Sequence, residues 1–341
     1  MSRILLADLI GNEETRAQLM IAHGAAKLNN RAMGHVLFTG NAGCGKTSTS
    51  RALANLSGGP FVNINPESIK TPEELAEVFQ KFPAIGYNEM GEKVDIVNPA
   101  ILFIDEAHRL SLKTQEFLGI AMEEYYLTYK QGSGRKKRTV TAWVPEFTVV
   151  CATTKEGELS KPFRDRFKLT FVFTHYEMSE AEAILEMHAK KMAIRIEKDA
   201  AAAIARRGRG TPRILVRFLE RMEEARHYMQ REVITLDLVE AQFSLMGIDP
   251  IGLTKTDIKI LTHLYDCEIP TGLDSLAVKT GIDSKTISEV NEPYLILLGF
   301  LERTRGGRIV TESGVNHLVS YKHVDAPEPE FNNSRVIRVK S

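Results

Sequence analysis

The sequence has few cysteines, no excess charge of either sign and no long hydrophobic run. Its 341 residues include three cysteines, Cys44, Cys151 and Cys267, whose wide spacing excludes a disulfide framework and a zinc site of paired cysteines. A formal net charge of zero excludes a whole-molecule field that attracts nucleic acid, so such contact requires a local patch. No stretch approaches the length that spans a bilayer. We therefore predict a cytoplasmic protein with no membrane association.

One stretch, Gly40–Ser48, has the pattern of a loop that wraps nucleotide phosphates: Gly, four residues, Gly-Lys-Thr. Its glycines allow backbone N–H groups to turn inward and form an anion nest. Lys46 adds a charge for the β- and γ-phosphates, and Thr47 offers a hydroxyl to Mg²⁺. A buried strand at 35–39 and a helix at 49–56 are predicted on either side, which is the expected context. A glycine loop with a purely structural role is the alternative.

Two further apolar runs predict buried strands of a parallel α/β sheet. The run at 100–104 ends in Asp105 and Glu106, at the strand end where such sheets bind ligands. We expect Asp105 to hold Mg²⁺ and Glu106 to orient and deprotonate an attacking water, although a core strand running out into solvent fits either acid alone. The run at 147–152 precedes Thr154, which either senses the γ-phosphate or is a simple strand-end hydroxyl.

Three other polar residues are ambiguous when they are considered singly. His108 is expected to be a local hydrogen-bonding residue and not a catalyst. Arg166 is the second arginine of an Arg-Asp-Arg triplet. Considered alone, it is expected to be solvated, as most exposed arginines are. Arg213 lies in the first turn of a helix opened by Thr211 and Pro212, where a cation opposes the helix dipole. A bound phosphate would repair that mismatch.

The remainder of the chain is predicted to be mostly helical. A capping box at Ser179–Glu182 opens this section. After residue 249 come three helices, with Pro293 predicted to bend or end the third, and a hairpin over 300–310 with Gly306-Gly307 at its turn. This is the plan of a winged-helix DNA-binding unit. Its main cluster of positive charge consists of Arg303, Arg305 and Arg308, which would contact DNA. A solvated turn is the alternative.

These pieces resemble the RuvB family, the bacterial AAA+ motors that drive branch migration of Holliday junctions. The resemblance runs from about residue 9 to residue 310, so it extends well beyond the shared ATPase core. The segments that carry it are ILFIDEAHRL at 101–110, AMEEY at 121–125, CATT at 151–154, PFRDRF at 162–167, RGTPRI at 209–214 and EPYLILLGFLERT at 292–304.

The resemblance implies ATP and Mg²⁺ as cofactors, and it assigns roles to the residues above. Thr154 would be a polar sensor, Arg213 a second sensor from the lid, and Arg166 a finger that reaches a neighbouring subunit's ATP. Arg303 and Arg308 would contact the DNA backbone. The metal would be held by Thr47 and Asp105. The nucleotide would be bound by Gly43, Gly45, Lys46, Thr47 and Ser48, with Tyr176 near it and Glu123 to Tyr125 close to the same pocket.

The implied fold is an AAA+ P-loop core with a parallel sheet at 1–177, a helical lid at 178–248, a winged helix at 249–322 and a flexible tail at 323–341. The implied function is a hexameric ring that hydrolyses ATP to translocate duplex DNA and drive branch migration in recombination and repair. A loader like the clamp loaders, which binds ATP and DNA without translocation, is the alternative. A DNA-binding regulator with a vestigial ATPase is disfavoured by the intact Lys46, Asp105 and Glu106.

The sequence also departs from the family at four places. The N-terminus is shorter, so recognition of the base is not predicted, and an insertion falls within 81–99. Ser284, with Lys285 beside it, replaces a basic residue in the third helix region of the winged-helix unit. The segment 125–144, which in the family carries a hairpin that docks the junction-binding protein RuvA, has small apolar residues at Val140 and Ala142 beside the basic run 135–138. This run favours an acidic docking surface or DNA phosphate as its target, with a solvated loop tip as the alternative.

Overall fold

A computed structural model describes residues 4–82, 98–131, 138–267, 269–321 and 324. Three predicted segments lie largely outside the described residues: most of the insertion, the tip of the hairpin, and all of the tail except residue 324. The chain forms two compact units, Met1–Ile184 with Thr211–Arg213, and Leu185–Gly210 with Ile214–Ser341. No helix in the described part of the chain is both long enough and apolar enough to cross a bilayer.

A five-stranded parallel sheet forms the centre of the first unit. Its strands are β1 (Val36–Gly40), β2 (Phe61–Ile64), β3 (Ala100–Ile104), β6 (Phe147–Ala152) and β7 (Leu169–Phe173). Their spatial order is β2-β3-β6-β1-β7. All the predicted core strands are present.

Both faces of this sheet are covered, which explains the uninterrupted apolar runs in its strands. In β3, Leu102 and Ile104 belong to one core cluster, whereas Ile101 and Phe103 belong to the cluster on the other side. Because the strands are parallel, their carboxyl ends lie along one edge of the sheet. The segments that follow β1, β3, β6 and β7 are therefore brought together at that edge.

The helices of the first unit precede the sheet, lie between its strands or follow it. They are α1 (Glu13–Leu28), α2 (Lys46–Ser57), α3 (Pro72–Phe79), α4 (Leu112–Glu124) and α5 (Lys161–Arg164), and α6 (Met178–Lys191) follows. The predicted capping box at Ser179–Glu182 is wrong. The helix begins at Met178, and the Glu180 carboxylate accepts a hydrogen bond of 2.9 Å from the Glu177 N–H, so the reciprocal bond lies two residues earlier.

The predicted hairpin is present as an antiparallel pair, β4 (Tyr126–Gln131) and β5 (Arg138–Trp143). Leu127 is buried in the domain core and lies opposite Ala142. Because side chains alternate between faces, Val140 shares this inward face. Trp143 lies on the other face and is 78% exposed, edge-on to Tyr126 at 5.8 Å. The outward face therefore presents an aromatic pair, and Val140 and Ala142 lie toward the domain.

The second unit contains a group of helices followed by a winged helix. The first helices are α7 (Lys198–Arg207), α8 (Pro212–Tyr228) and α9 (Leu236–Met246). The winged helix contains α10 (Lys255–Tyr265), α11 (Leu273–Thr280), α12 (Ser284–Thr286), a π-helical turn (Ile287–Asn291), α13 (Glu292–Leu297), β8 (Leu301–Thr304), β9 (Gly307–Val310) and α14 (Glu312–Ser320).

Two local predictions in the winged helix are refined by the structure. Of the two outcomes predicted for Pro293, an end of the third helix is wrong, since the chain continues from α12 through the π-helical turn into α13. Pro293 occupies a first-turn position of α13 that needs no N–H. The hairpin turn is Arg305-Gly306 and not Gly306-Gly307, since Thr304 pairs with Gly307. Gly307 instead starts β9 with a φ of +139°, close to the backbone of Thr271.

Candidate active site

The phosphate-binding loop joins β1 to α2 at the carboxyl edge of the sheet. Gly40, Gly43 and Gly45 have φ values of +102°, +78° and +99°, a conformation that side chains disfavour. A Cβ at Gly40 would lie 2.1 Å from the Phe173 carbonyl oxygen on neighbouring β7. The glycines of the pattern are therefore required by the backbone itself, and the loop leads directly into the N-terminus of α2, where N–H groups favour anions.

Lys46 is buried at the start of α2, and its ammonium group is held by the loop. Its Nζ donates hydrogen bonds of 2.7 and 2.8 Å to the carbonyl oxygens of Gly40 and Asn41. Burial lowers the pKa of Lys46, while the nearby carboxylates of Asp105 and Glu106 act in the opposite direction. A phosphate in the loop would likewise favour the charged amine.

Thr47 and Asp105 meet as the sequence predicts. The Thr47 hydroxyl donates a 3.2 Å hydrogen bond to Asp105 Oδ2, and Asp105 Oδ1 accepts one from the Glu106 N–H. Mg²⁺ prefers such oxygen ligands and is usually bound by one or two protein groups together with phosphates and water. The pair fits that ion. Within the described ranges, no group of three or more His, Cys, Asp or Glu side chains is placed to hold a metal without those further ligands.

The Glu106 side chain is held by Thr154, which follows β6, and by His108, which follows β3. Its backbone is left-handed, with a φ of +49°, and its Oε2 accepts a 3.2 Å hydrogen bond from the Thr154 hydroxyl beyond β6. His108 Nδ1 lies 3.3 Å from the same oxygen and 3.0 Å from the hydroxyl of Thr153. These contacts match the local hydrogen-bonding role expected for His108, and they connect Thr154 to the carboxylate that is predicted to activate water.

Tyr176, which follows β7, contacts the phosphate-binding loop. Its hydroxyl donates a 3.2 Å hydrogen bond to the Cys44 carbonyl and accepts one of 2.9 Å from the Asn12 amide. Burial raises the pKa of Tyr176 to about 12, so the phenol stays protonated and remains a donor. Sequence reasoning missed Asn12, whose only signal is the tight turn at Gly11-Asn12 before α1.

Arg213 also lies beside the phosphate-binding loop. A Cβ built at Gly43 would be 3.0 Å from the side chains of both Arg213 and Thr211. Thr211 in turn is 3.3 Å from His175, at the carboxyl end of β7. The structure thus brings together most of the predicted nucleotide residues, namely Gly43, Gly45, Lys46, Thr47, Ser48, Asp105, Glu106, Thr154, Tyr176 and Arg213.

The remaining three predicted nucleotide residues lie elsewhere in the same unit. Glu123, Tyr125 and Arg166 line a cavity of about 660 Å³ together with residues that begin strands: His35 before β1, Glu146 before β6 and Leu169 in β7. These positions mark the amino edge of the sheet, and the described lining includes no residue of Gly40–Ser48.

The two edges of the sheet are separated by the length of a strand. The five residues of β1 extend roughly 16 Å at about 3.3 Å per residue. Moreover, the Arg166 side chain is turned onto α4 and α5, where it bonds the carbonyls of Gly119 and Pro162 and the carboxylate of Glu123. Arg166 therefore does not reach the phosphate-binding loop of its own chain.

In the wing, Arg303 and Arg308 are engaged by a buried acid that sequence reasoning missed. Glu292, in α13, is fully buried, and Arg303 Nε and Arg308 Nε donate to it at 2.8 and 2.6 Å. About half of the Arg303 side chain is exposed, whereas Arg308 is mostly buried. Arg305 is exposed at the hairpin turn. A glutamate before Pro-Tyr-Leu gave no sequence signal that it would be buried.

We predict that Arg303 and Arg308 stabilise the fold of the winged helix, whereas Arg305 does not. Replacing Arg303 and Arg308 by Ala together leaves the Glu292 carboxylate buried and unpaired, which should destabilise the winged helix by about 3–5 kcal/mol. Arg305→Ala should leave the thermal unfolding temperature unchanged. The same substitution removes one predicted phosphate contact, so the slope of log binding constant against log salt concentration for duplex DNA should become shallower by roughly 0.9.

Thermal unfolding and salt titration of the same proteins test both statements. Unchanged stability of the double variant would contradict the structural role of the Glu292 pairs. An unchanged salt slope for Arg305→Ala would make the turn a solvated loop.

The sheet, the loop and the paired carboxylates define a P-loop ATPase of the AAA+ class, followed by helices and a winged helix. Three family models match the chain in order: the Holliday junction DNA helicase RuvB P-loop domain at residues 2–173, the RuvB AAA lid domain at 176–249 and the RuvB C-terminal winged helix domain at 250–319. The chain belongs to the RuvB family.

Individual relatives agree with this assignment. A Holliday junction branch migration complex subunit, RuvB 2 of Synechococcus sp., is 36% identical over 315 residues, covering 92% of this chain and 81% of its own. The RuvB subunit of Fervidobacterium nodosum is 35% identical over 316 residues, covering 92% and 87%. The solved Holliday junction branch migration motor RuvB of Thermotoga maritima aligns with a TM-score of 0.76 at 32% identity, covering 95% of this chain and 98% of that one.

Proposed function

We propose that this chain is an ATP-driven DNA motor that assembles as a hexameric ring, translocates duplex DNA and drives branch migration at four-way junctions. One observation carries the proposal: Arg166 lies at the edge of the sheet opposite its own phosphate-binding loop. An arginine in that position acts on a nucleotide only if a second copy of the chain supplies the nucleotide site. The relatives' names, which describe subunits of a branch migration complex, support the same function.

Within one subunit, residues of the phosphate-binding loop and of the segments after β3 and β6 would have separate roles in ATP hydrolysis. The loop N–H groups and Lys46 would bind the β- and γ-phosphates of ATP, and Thr47 and Asp105 would hold Mg²⁺, which neutralises phosphate charge when bound. Glu106 would take the proton of the attacking water. The Thr154 hydroxyl keeps the Glu106 carboxylate in place through their 3.2 Å hydrogen bond.

Contact with DNA and with a partner would come from two hairpins. The wing of the second unit offers the exposed side chains of Arg303 and Arg305 to the DNA backbone, whereas Arg308 is mostly buried against Glu292. The β4–β5 hairpin would dock a RuvA-type protein, and the exposed Trp143 is its largest outward apolar group among the described residues. The basic run 135–138, which precedes Trp143 in the sequence, favours an acidic docking surface or DNA phosphate, although only Arg138 belongs to the described residues.

We also propose the division into a P-loop domain at 1–177, a lid at 178–248, a winged helix at 249–322 and a tail at 323–341. The ranges of the three family models support the first three of these four parts. A cytoplasmic location remains a prediction, supported by three cysteines that are all free thiols.

Branch migration by the purified protein tests the function. A labelled four-way junction with homologous arms should be converted to duplex products only with ATP and Mg²⁺, and faster with a RuvA-type protein. A junction with heterologous arms, which has no path for migration, and Lys46→Ala are the controls. ATP-dependent DNA binding with no conversion, with or without the partner, would contradict the motor and favour a loader.

A further inference from the structure

Helix α4 contains a glycine in its interior that nothing in the helix itself requires. Gly119 does not have a positive φ, and glycine within a helix is less favourable than alanine. A Cβ built there would meet Arg166 at 2.8 Å from Nε, 3.0 Å from Cζ and 3.1 Å from Cδ. The three nearest atoms all belong to one side chain, so Gly119 leaves room for the Arg166 guanidinium specifically.

The guanidinium that occupies this space is held at each of its three nitrogens. Nε donates to the Gly119 carbonyl at 3.1 Å, Nη2 to Glu123 Oε2 at 3.0 Å, and Nη1 to the Pro162 carbonyl at 2.5 Å. Gly119 and Glu123 are four residues apart and therefore lie on one face of α4. Together they form what we call the α4 seat.

The α4 seat leaves the arginine able to bind an anion. A guanidinium has five N–H donors, and acceptors among the described residues use one on each nitrogen. One N–H therefore remains on each terminal nitrogen, and each is a charged donor for a phosphate oxygen. Glu123 is more than half exposed, and a partly solvated ion pair adds little to stability. The contacts fix the direction of the guanidinium more than they stabilise the domain.

We propose that Gly119 and Glu123 are positioning residues that preset Arg166 for the phosphates bound by a neighbouring copy of the chain. The inference rests on the proposed role of Arg166 in trans. Without the α4 seat, a long flexible side chain would have to be ordered during each catalytic cycle. With it, the guanidinium is already oriented when the neighbour arrives.

Gly119→Ala tests the α4 seat because its two expected effects have opposite signs. Alanine is the better helix former, so the thermal unfolding temperature should stay the same or rise. The new methyl group displaces the guanidinium, and a misplacement of about 1 Å can cost on the order of 10²-fold in rate. We therefore expect kcat to fall by about 10- to 10²-fold with KM for ATP unchanged.

The chain offers a matched control in Gly24, a glycine within α1 whose added Cβ would meet nothing within 4 Å. Gly24→Ala should give the same helix gain with unchanged kcat. For the acid, Glu123→Gln retains an acceptor oxygen and should keep more turnover than Glu123→Ala. Equal losses in the two Glu123 variants would overturn its positioning role.

The α4 seat acts through Arg166, so Gly119→Ala should have no further effect on kcat in an Arg166→Ala background. Normal kcat for Gly119→Ala, or a lowered unfolding temperature, would overturn the proposal while leaving the role of Arg166 intact. Normal turnover by Arg166→Ala alone would contradict the finger itself, and the α4 seat with it.

Discussion

Arg166→Ala is expected to lower kcat for ATP hydrolysis by about 10³- to 10⁵-fold, the range in which arginine fingers contribute in other phosphoryl-transfer enzymes. The variant should bind ATP normally, because Arg166 lies at the sheet edge away from its own phosphate-binding loop. Steady-state turnover and titration with a fluorescent ATP analogue separate the two quantities. A large loss of kcat with unchanged affinity is the signature of an interaction made only in the transition state.

The same triplet supplies a control for this variant. Arg164 lies two residues away and is 3.9 Å from the Glu156 carboxylate, where it has no place in the α4 seat. Arg164→Ala should therefore keep most of the turnover. A comparable loss in both variants would indicate damage to the local fold, and normal turnover by Arg166→Ala would remove it from the mechanism.

Glu106→Gln is expected to bind ATP and hydrolyse it about 10²- to 10⁴-fold more slowly, the usual contribution of a general base. Glutamine has the same shape and retains an oxygen that accepts the hydrogen bond from Thr154, but it does not take a proton from water. A single-turnover measurement of bound ATP follows the chemical step directly.

Lys46→Ala provides the contrast, because it removes the ammonium group that would bind the phosphates and should weaken ATP binding itself. Glu106→Gln and Lys46→Ala should thus fail at different steps. Near-normal hydrolysis by Glu106→Gln would assign proton abstraction to another group.

The phosphate-binding site was predictable from sequence because its signals are local. The run from Gly40 to Ser48 specifies the turn, and the apolar runs that end at Asp105 and Thr154 specify strands. In a parallel sheet, strand ends converge at one edge, so the order of these motifs already brought them together. The structure added the contact between Thr154 and Glu106, which depends on the relative register of β3 and β6.

The features that sequence reasoning missed depend on residues far apart in the chain. Glu292 is buried and accepts hydrogen bonds from an arginine on each strand of the wing, 11 and 16 residues later, and nothing near it in sequence signals that. In sequence Gly119 is an ordinary helical glycine, and only the fold places Arg166, 47 residues later, against it. The sequence also predicts one pocket for all the nucleotide residues. The structure instead places Glu123, Tyr125 and Arg166 at the opposite edge of the sheet from the phosphate-binding loop.

The most direct test of a site shared between two copies is to mix Arg166→Ala protein with Lys46→Ala protein. Each is expected to be nearly inactive alone. In mixed assemblies, some interfaces join an intact loop from the first to an intact arginine from the second, on the order of one interface in four at equal amounts. The account predicts turnover well above the sum of the separate proteins, highest at intermediate ratios. No recovery at any ratio, with mixed assemblies confirmed, would contradict it.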